Sequence, residues 1–350
     1  NHLTRRTRVF GAVSATLAAL AMSAGPALAD PPAETYPALA GTGSDTTQYV
    51  LNGLAGVIPA IGSYDAIDPS TGLPGGAIQT REDGPSFARP NGSSNGIKAL
   101  TGSVNGAPWQ GTVITGQLDF ARSSSSPSQP GSDLTFIPFA LDAVSYAFSA
   151  FGSASVPTYL TIAELADIYT GDTTTYVDLN GVTRNYVPLL PQAGSGTRAF
   201  FLSSLGLTEG DVAWITSPTV QENDGSEIDA IGEIVPFSVA SWIAQFNGVV
   251  PQTILESDVN LGALDDEFGV TPPIDGGVLN PDFPFTRLVF NVVETARLAG
   301  ISPADVLLQN TFMGSSSSVC QAAATITEYG FATIPNCGDT STYKSGYVQP

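Results

Sequence analysis

Short strand-like runs alternate with helix-like runs along this chain of 350 residues. Residues 135–139 and 143–148 are apolar and rich in aromatic side chains, which is typical of short buried strands. Residues 161–169 instead carry apolar side chains at helical spacing, and Thr161 with Glu164 forms the pattern of a capping box. Further predicted elements are a strand at 288–293 and helices at 198–205, 303–309 and 322–329. Strands that alternate with helices predict an α/β fold.

The N-terminal segment has the three parts of a secretory signal peptide. An arginine-rich start is followed by an apolar run at residues 9–24 and by an A-x-A cleavage motif at residues 27–29. A membrane anchor is the weaker interpretation, because the apolar run is shorter than the roughly 20 residues that cross a bilayer. No Cys lies near the cleavage motif to carry a lipid. We therefore expect residues 1–29 to be removed and the mature chain to be secreted, without membrane insertion.

The charge balance is strongly acidic, with 32 Asp and Glu residues against 12 Lys and Arg residues and a net charge of −20. Three of the basic residues and none of the acidic ones lie in the predicted signal peptide, so the mature chain is more acidic still. Nucleic acid and anionic membrane surfaces are therefore poor partners. A small anion is not excluded, because a buried site is governed by local dipoles and not by net charge.

Histidine and cysteine are scarce, which excludes several kinds of site. The single histidine, His2, lies in the predicted signal peptide, so Ser-His-Asp catalysis, Cys-His catalysis and ordinary zinc sites are not expected in the mature chain. No metal or other cofactor is predicted. The two cysteines, Cys320 and Cys337, favour one disulfide that closes a loop near the C-terminus of an exported protein. A reactive thiol pair is the alternative.

Three turns built from glycine and hydroxyl residues run directly into helix-like segments. They are residues 41–47, 91–96 and 193–197. Backbone N–H groups at the start of a helix carry partial positive charge and lack partners within the helix. Glycine allows a ligand to approach the backbone, and Ser and Thr hydroxyls add donors, so each turn is a candidate anion site. Simple helix caps are the alternative for each turn, but three such turns favour one shared anion pocket.

These turns, in this order, resemble the phosphate-contacting segments of the phosphate-binding proteins of bacterial phosphate ABC transporters, the PstS family. Residues 118–124 resemble the family's D-F-x-x-S-D strand and turn, and residues 165–171 resemble its L-x-x-I-[FY]-x-G stretch. Residues 194–197, followed by Phe200, resemble its G-S-G-T-x-x-F signature. The resemblance covers roughly residues 41–300 and does not extend to the C-terminal segment.

The resemblance implies an α/β fold with two lobes, of the type II periplasmic-binding-protein kind, in which two crossover strands form a hinge. We place the crossovers near Pro138 and near Phe285. Lobe I would then contain residues 36–139 plus 286–350, and lobe II would contain the inserted residues 140–285. The resemblance also places the ligand in the cleft between the lobes.

The function implied by the resemblance is that of a secreted substrate-binding protein, not an enzyme. It would be a monomer that holds a tetrahedral oxyanion, inorganic phosphate above all, with an ABC permease as a candidate partner. Two alternatives stay open at this point. The chain could be a secreted structural or adhesive protein that kept the fold and lost the ligand, or a hydrolase that works with carboxylates and without histidine.

Two positions depart from the family pattern. The family's arginine four residues before the Ser of G-S-G-T is Pro191 here, and the second acid of D-F-x-x-S-D is Ser124. We therefore expect Arg122 or Arg198 to neutralise the ligand and Asp45 to accept its proton. A carboxylate in the pocket would favour protonated phosphate over sulfate, which carries no proton.

Each of these three charged residues also has a structural alternative. Arg122 could be a surface charge, Arg198 a solvated helix residue, and Asp45 the N-cap of the helix that follows it. The complete predicted ligand-binding set is Asp45, Thr46, Ser93, Ser94, Arg122, Ser123, Ser124, Ser195, Gly196, Thr197 and Arg198.

Overall fold

A nine-stranded mixed sheet at the centre of the molecule organises the fold. The computed structural model describes residues 29–350, so the predicted signal peptide lies outside the described residues except for Ala29. The strands of the sheet are β1 (Leu39–Gly43), β2 (Ile61–Ser63), β3 (Phe120–Ser123), β4 (Leu134–Ser149), β5 (Val187–Pro188), β6 (Glu233–Ser238), β7 (Val259–Leu261), β8 (Thr286–Glu294) and β9 (Lys344–Ser345).

Helices and small hairpins surround this sheet. The α-helices are α1 (Gln48–Val57), α2 (Ser93–Asn105), α3 (Ile162–Thr170), α4 (Gly196–Ser204), α5 (Val239–Phe246), α6 (Thr253–Glu256), α7 (Pro303–Phe312), α8 (Ser318–Gln321) and α9 (Ala323–Glu328). Short 3-10 helices lie at Gly152–Ala154, Gly225–Glu227 and Thr295–Ala299. Two-stranded hairpins pair Ile67–Asp68 with Leu73–Pro74, Ala77–Ile78 with Phe87–Ala88, Thr175–Val177 with Thr183–Asn185, and Ile274–Asp275 with Val278–Leu279, and a three-stranded sheet contains Tyr159–Thr161, Ala263–Asp266 and Gly269–Thr271. No helix among residues 29–350 is long and apolar enough to cross a bilayer.

The strand order of the central sheet is β5-β6-β4-β8-β3-β1-β2, and β7 and β9 pair with further stretches of β4. β1 runs parallel to β2 and β3, whereas β8 runs antiparallel to both β3 and β4. Both faces of the sheet are covered, because neighbouring residues of β4 belong to different cores. Phe136 packs in the core that contains Ile97 of α2, and Ile137 packs in the core that contains Val50 of α1. This mixed architecture confirms the predicted α/β fold class.

β4 is one strand of 16 residues, where the sequence predicted two short strands at 135–139 and 143–148. Its first half pairs with β8 and its second half pairs with β6, so the strand passes from one lobe into the other. Pro138 cannot donate a backbone hydrogen bond, and it lies at a bulge where the register between β4 and β8 skips Phe139. The bulge accommodates the proline. The predicted break at residues 140–142 contains Asp142, and the strand continues there because Arg287 of the neighbouring strand pairs with this charge.

β8 is the second strand that connects the two lobes. It begins at Thr286, opposite Ala143 of β4, close to the crossover predicted near Phe285. Beyond the crossing, α3 and α4 pack on the far half of β4, and the rings of Tyr169 and Phe201 meet edge-on at 5.0 Å. The residue boundaries of the lobes, 36–139 plus 286–350 and 140–285, stay a prediction.

Helix α3 begins with the capping box that its sequence predicted. The side chain of Thr161 accepts a hydrogen bond from the Glu164 backbone N–H at 3.1 Å, and the Glu164 carboxylate accepts one from the Thr161 N–H at 2.8 Å. Two of the four free donors at the helix start are thereby satisfied. The apolar side of the helix, with Leu165 and Ile168, is buried in the core that also contains Tyr146 of β4.

The C-terminal segment, which the family resemblance did not cover, packs against the central sheet as α7, α8 and α9. Phe312, Val319 and Ile326 join the core that also contains the apolar face of α1. Cys320 and Cys337 form a disulfide with their Cα atoms 5.9 Å apart, as the sequence predicted. The bond therefore fastens the loop that follows α8 to a region already packed against the sheet.

Asp30, the first residue after the predicted cleavage motif, is bound to lobe I. Arg89 donates to both carboxylate oxygens of Asp30 at 2.8 and 2.7 Å, and the backbone N–H of Asp65 donates to the same carboxylate at 2.8 Å. The side chain of Arg89 is buried, with only 3% exposed. A two-point arginine–carboxylate contact of this kind fixes direction as well as distance.

Replacing Cys320 and Cys337 together by serine should lower the free energy of unfolding. Their sequence separation is 17 residues, and in the chain-entropy model a loop of this size contributes about 3 kcal/mol. Chemical denaturation of the wild type and of the double variant would measure the difference. Intact mass after alkylation, with and without prior reduction, provides the control. Two alkylated thiols in freshly purified, unreduced protein would contradict the disulfide.

Candidate functional site

The three glycine- and hydroxyl-rich turns meet at one place between the lobes. The first follows β1 and leads into α1, the second leads into α2, and the third leads into α4. The N–H of Gly92 donates to the carbonyl of Gly43 at 3.1 Å, and the N–H of Ser94 donates to the carbonyl of Gly194 at 3.3 Å. Glycine is required for this approach, because a Cβ on Gly96 would lie 2.5 Å from the Cα of Gly43.

Side chains from these turns and from the end of β3 form a buried set that we call the hydroxyl cluster. Its members are Ser44, Thr46, Ser93, Ser124, Ser195 and Thr197, each at most 2% exposed. The Ser124 hydroxyl lies 3.1 Å from that of Ser44, 3.2 Å from that of Ser93 and 3.4 Å from that of Thr46. The Thr46 hydroxyl lies 3.2 Å from that of Thr197 across the lobes. The site therefore presents hydroxyl groups from both lobes within one small volume.

Only one of the three helices uses its turn as a side-chain cap. Ser195 caps α4 by accepting a hydrogen bond from the Arg198 N–H at 3.1 Å. The N-cap positions of α1 and α2 are Thr47 and Gly92, and neither makes a side-chain capping bond. The simple-cap interpretation is therefore wrong for the first two turns. Their helix starts keep the partial positive charge that an anion would meet.

The cation at the hydroxyl cluster is Arg287 of β8, which the sequence analysis did not identify. Its guanidinium donates to the Thr197 hydroxyl at 2.7 Å and to the Ser124 carbonyl at 3.3 Å. It also pairs with Asp142, its direct partner across the two crossover strands, at 2.8 Å. Both side chains are buried. One sequence feature indicated this pair: an acidic residue and a basic residue each lie in an otherwise apolar strand. Such charges are expected to pair, because buried charges are rarely left without a partner.

Arg122 lies beneath the first turn and not at the hydroxyl cluster. Its guanidinium donates to the Ser44 carbonyl at 3.0 Å and to the Tyr64 carbonyl at 2.7 Å, and one nitrogen, Nη2, has no partner. Burial lowers the pKa of Arg122 to about 10, against the opposing influence of the Asp65 charge. The alternative that Arg122 is a surface charge is therefore wrong. Its guanidinium supports the turn that carries Ser44.

Three other predicted residues also lie outside the hydroxyl cluster. Arg198 forms an ion pair with Glu209 and donates to the Pro191 carbonyl at 2.9 Å. The Ser123 hydroxyl turns to the Ser125 carbonyl at 2.8 Å. Ser94 contributes its backbone N–H to the contact between the second and third turns. Gly196, by contrast, lies against the cluster, because a Cβ there would come within 2.6 Å of the Ser93 hydroxyl.

Glu222 is a second acidic group at the hydroxyl cluster and was also missed by the sequence analysis. Its carboxylate is fully buried and accepts hydrogen bonds from the hydroxyls of Thr46 and Ser195. The loop that carries it is held by the N–H of Ser238, which donates to the Glu222 carbonyl at 3.4 Å. No turn, repeat or charge pattern marks this position in the sequence.

Asp45 is fully buried beside Glu222, and both of its carboxylate oxygens lack a hydrogen-bond partner. Burial raises the pKa of Asp45 well above its usual value, and the charge of Glu222 raises it further. The alternative that Asp45 is the N-cap of α1 is wrong, because the cap position is Thr47. Asp45 therefore places a buried carboxyl group with no capping role beside Glu222.

Metal binding has no support in residues 29–350, where no group of three or more His, Cys, Asp or Glu side chains could hold an ion. The chemistry of the cluster is that of hydrogen bonding. Six hydroxyls and one guanidinium can donate, and two carboxyl groups can accept.

The fold is similar to that of several solved proteins. A protein from Clostridium perfringens, described as a phosphate ABC transporter substrate-binding protein and solved with bound phosphate, aligns with a TM-score of 0.55 and 17% identity over 85% of this chain and 99% of its own. An ABC-type phosphate transport receptor from Vibrio cholerae aligns with a TM-score of 0.51 and 17% identity, covering 85% and 100%. A DING protein aligns with a TM-score of 0.54 and 14% identity, covering 85% and 91%. No family model and no curated protein sequence matches the chain. The similarities establish the two-lobed binding-protein fold.

Asp45→Asn should raise the melting temperature at neutral pH. A carboxyl group whose pKa is raised by folding stabilises the protein only below its unfolded value of about 4, and this contribution is lost as the pH rises through the folded value. The amide carries no charge to bury, so the variant should melt roughly 2 °C or more above the wild type at pH 7. Thermal melts between pH 4 and pH 8 should show that the difference in melting temperature between variant and wild type decreases toward pH 4.

Asp178→Asn is the control, because its effect on stability should have the opposite sign. Hydrogen bonds from the Val182 backbone and from Arg184 lower the pKa of Asp178, so this substitution should reduce stability at neutral pH and matter less in acid. If the difference in melting temperature between Asp45→Asn and the wild type does not change with pH, the raised pKa of Asp45 is contradicted.

Proposed function

We propose that this protein binds a tetrahedral oxyanion, most specifically inorganic phosphate, at the hydroxyl cluster between its lobes. The observation that carries the proposal is the convergence of three helix starts, six buried hydroxyls and the Arg287 guanidinium on one place. Helix starts and hydroxyls are donors, and an oxyanion is a compact group of acceptors. Convergent donors from two lobes would hold such an anion from opposite sides.

The ligand contacts follow from the positions of the donors. Thr46, Ser93 and Ser124 would bind from lobe I, and Ser195 and Thr197 would bind from lobe II together with the Gly196 backbone. Arg287 takes the role that was expected of Arg122 or Arg198, because its guanidinium is the one that donates into the cluster. Arg122 supports the first turn from below.

Asp45 is the proposed acceptor for a proton of the ligand. Its two oxygens are buried and unpartnered, so a protonated phosphate would supply the hydrogen bond that they lack. Sulfate at neutral pH has no proton to donate, so its binding would leave these oxygens without that hydrogen bond. The site therefore favours phosphate over sulfate.

The comparisons support a binding protein over an enzyme, because the neighbours from Clostridium perfringens and Vibrio cholerae are described as a substrate-binding protein and a transport receptor for phosphate. The mature chain would also have no histidine to serve as a general base. Secretion after cleavage before Asp30, a monomeric state and delivery to an ABC permease complete the proposal. The attachment of Asp30 to Arg89 is compatible with a chain that begins there.

Isothermal titration calorimetry with phosphate, sulfate, arsenate and molybdate tests the proposal. Phosphate and arsenate should bind with one site per chain and sulfate should bind much more weakly. Thr197→Val removes one donor at nearly constant volume and should weaken phosphate binding about tenfold or more, because a hydrogen bond to a charged group contributes about 1.5–3 kcal/mol. The matched control is Thr311→Val, a buried threonine of α7 whose hydroxyl donates to the Leu307 carbonyl.

Two results would contradict the proposal. The first is the absence of both heat and a thermal shift with all four anions, which would favour a structural or adhesive protein that kept the fold. The second is equal weakening of phosphate binding by the Thr197 and Thr311 variants, because this would mean that the hydroxyl cluster is not the site.

A further inference from the structure

Glu222 stands where the proposed ligand would need to bind. We infer that its carboxylate is an internal occupant of the anion site, which holds the ligand-free lobes together and which the incoming oxyanion must displace. The inference rests on the proposed function for the identity of the ligand. It adds a residue that controls affinity from within the site and opposes binding.

The contacts of Glu222 are those expected of a bound anion. One carboxylate oxygen accepts from the hydroxyl of Thr46, which belongs to the turn before α1. The other accepts from the hydroxyl of Ser195, which caps α4 in the other lobe. Glu222 therefore uses one donor from each side of the cleft. A phosphate that used the same two hydroxyls could not bind until Glu222 released them.

The electrostatics of the site favour this occupation. The starts of α1 and α4 carry partial positive charge, and the guanidinium of Arg287 reaches the hydroxyls of Thr46 and Thr197 at 3.4 and 2.7 Å. These groups attract a carboxylate for the same reason that they attract an oxyanion. Asp45 lies beside Glu222, and the nearby charge of Glu222 adds to burial in raising the pKa of Asp45. Asp142 is already paired with Arg287.

A cavity borders the loop that carries Glu222. The neighbouring residue Asn223 donates from its side chain to the Asp45 carbonyl at 3.3 Å, and its own carbonyl accepts from the Gln245 side chain at 2.6 Å. A cavity of about 350 Å³ lies between the lobes beside this loop, lined on one side by Gln221 and Asn223 and on the other by Gln48 and Tyr49 of α1. The cavity therefore leaves space next to the loop that carries Glu222.

Glu222→Ala, studied beside the wild type, tests the inference. Calorimetry should show phosphate binding about tenfold or more tighter, because the internal competitor is gone. Glu222→Gln, which removes the charge and keeps the shape, should give a smaller gain. The matched control is Glu209→Ala, which removes a carboxylate paired with Arg198 outside the cluster and should leave the affinity unchanged. Weaker binding by either Glu222 variant would overturn the inference and make Glu222 a ligand contact.

Hydrogen exchange without ligand provides the second measurement. Backbone amides of residues 44–47 and 195–197 should exchange faster in Glu222→Ala than in the wild type, since the bridge between the lobes is lost. Unchanged exchange would overturn the inference whatever the calorimetry gives. If no anion binds to any form, the proposed function fails, and the exchange rates still decide whether Glu222 holds the two turns together.

Discussion

The ion pair between Asp142 and Arg287 is the interaction on which the rest of the site depends. The two residues face each other across β4 and β8, at the point where both strands pass between the lobes. Asp142 is fully buried and also accepts from the Ser238 hydroxyl and the Ala240 N–H, so its charge is well satisfied. Removing either partner would leave an isolated charge inside the sheet, which costs several kcal/mol. The pair thereby fixes the direction in which Arg287 reaches the hydroxyl cluster.

Local chemistry made the three turns predictable, since glycine, hydroxyls and a following helix are neighbours in the sequence. The same is true of the capping box at Thr161 and of the single disulfide. Long-range placement was not predictable in this way. Glu222 contacts Thr46 across 176 residues of chain, and Arg287 contacts the same residue across 241. Neither belongs to a motif, and only the pairing of strands brings them together.

The placement of Arg122 and Arg198 outside the hydroxyl cluster has a similar physical cause. Arg122 and Arg198 lie beside predicted turns, so they were the natural candidates for neutralising an anion. In the folded protein Arg122 donates hydrogen bonds to carbonyl groups below the first turn, and Arg198 forms an ion pair with Glu209. Proximity in sequence says little about direction, because neighbouring residues of a strand such as β3 point to opposite faces. The arginine that reaches the cluster comes from the strand that crosses between the lobes.

The continuity of β4 determines how the two lobes can separate. A strand of 16 residues extends through roughly 50 Å, and it has no loop at its centre to swivel about. Any opening of the cleft must therefore bend the paired strands β4 and β8 together. The bulge that skips Phe139 is the softest point of the pair, because a ladder bond is already missing there. A bend of roughly 20° at that point would carry the far end of β4, ten residues away, through about 11 Å. Access to the buried hydroxyls is thus governed by the stiffness of a sheet.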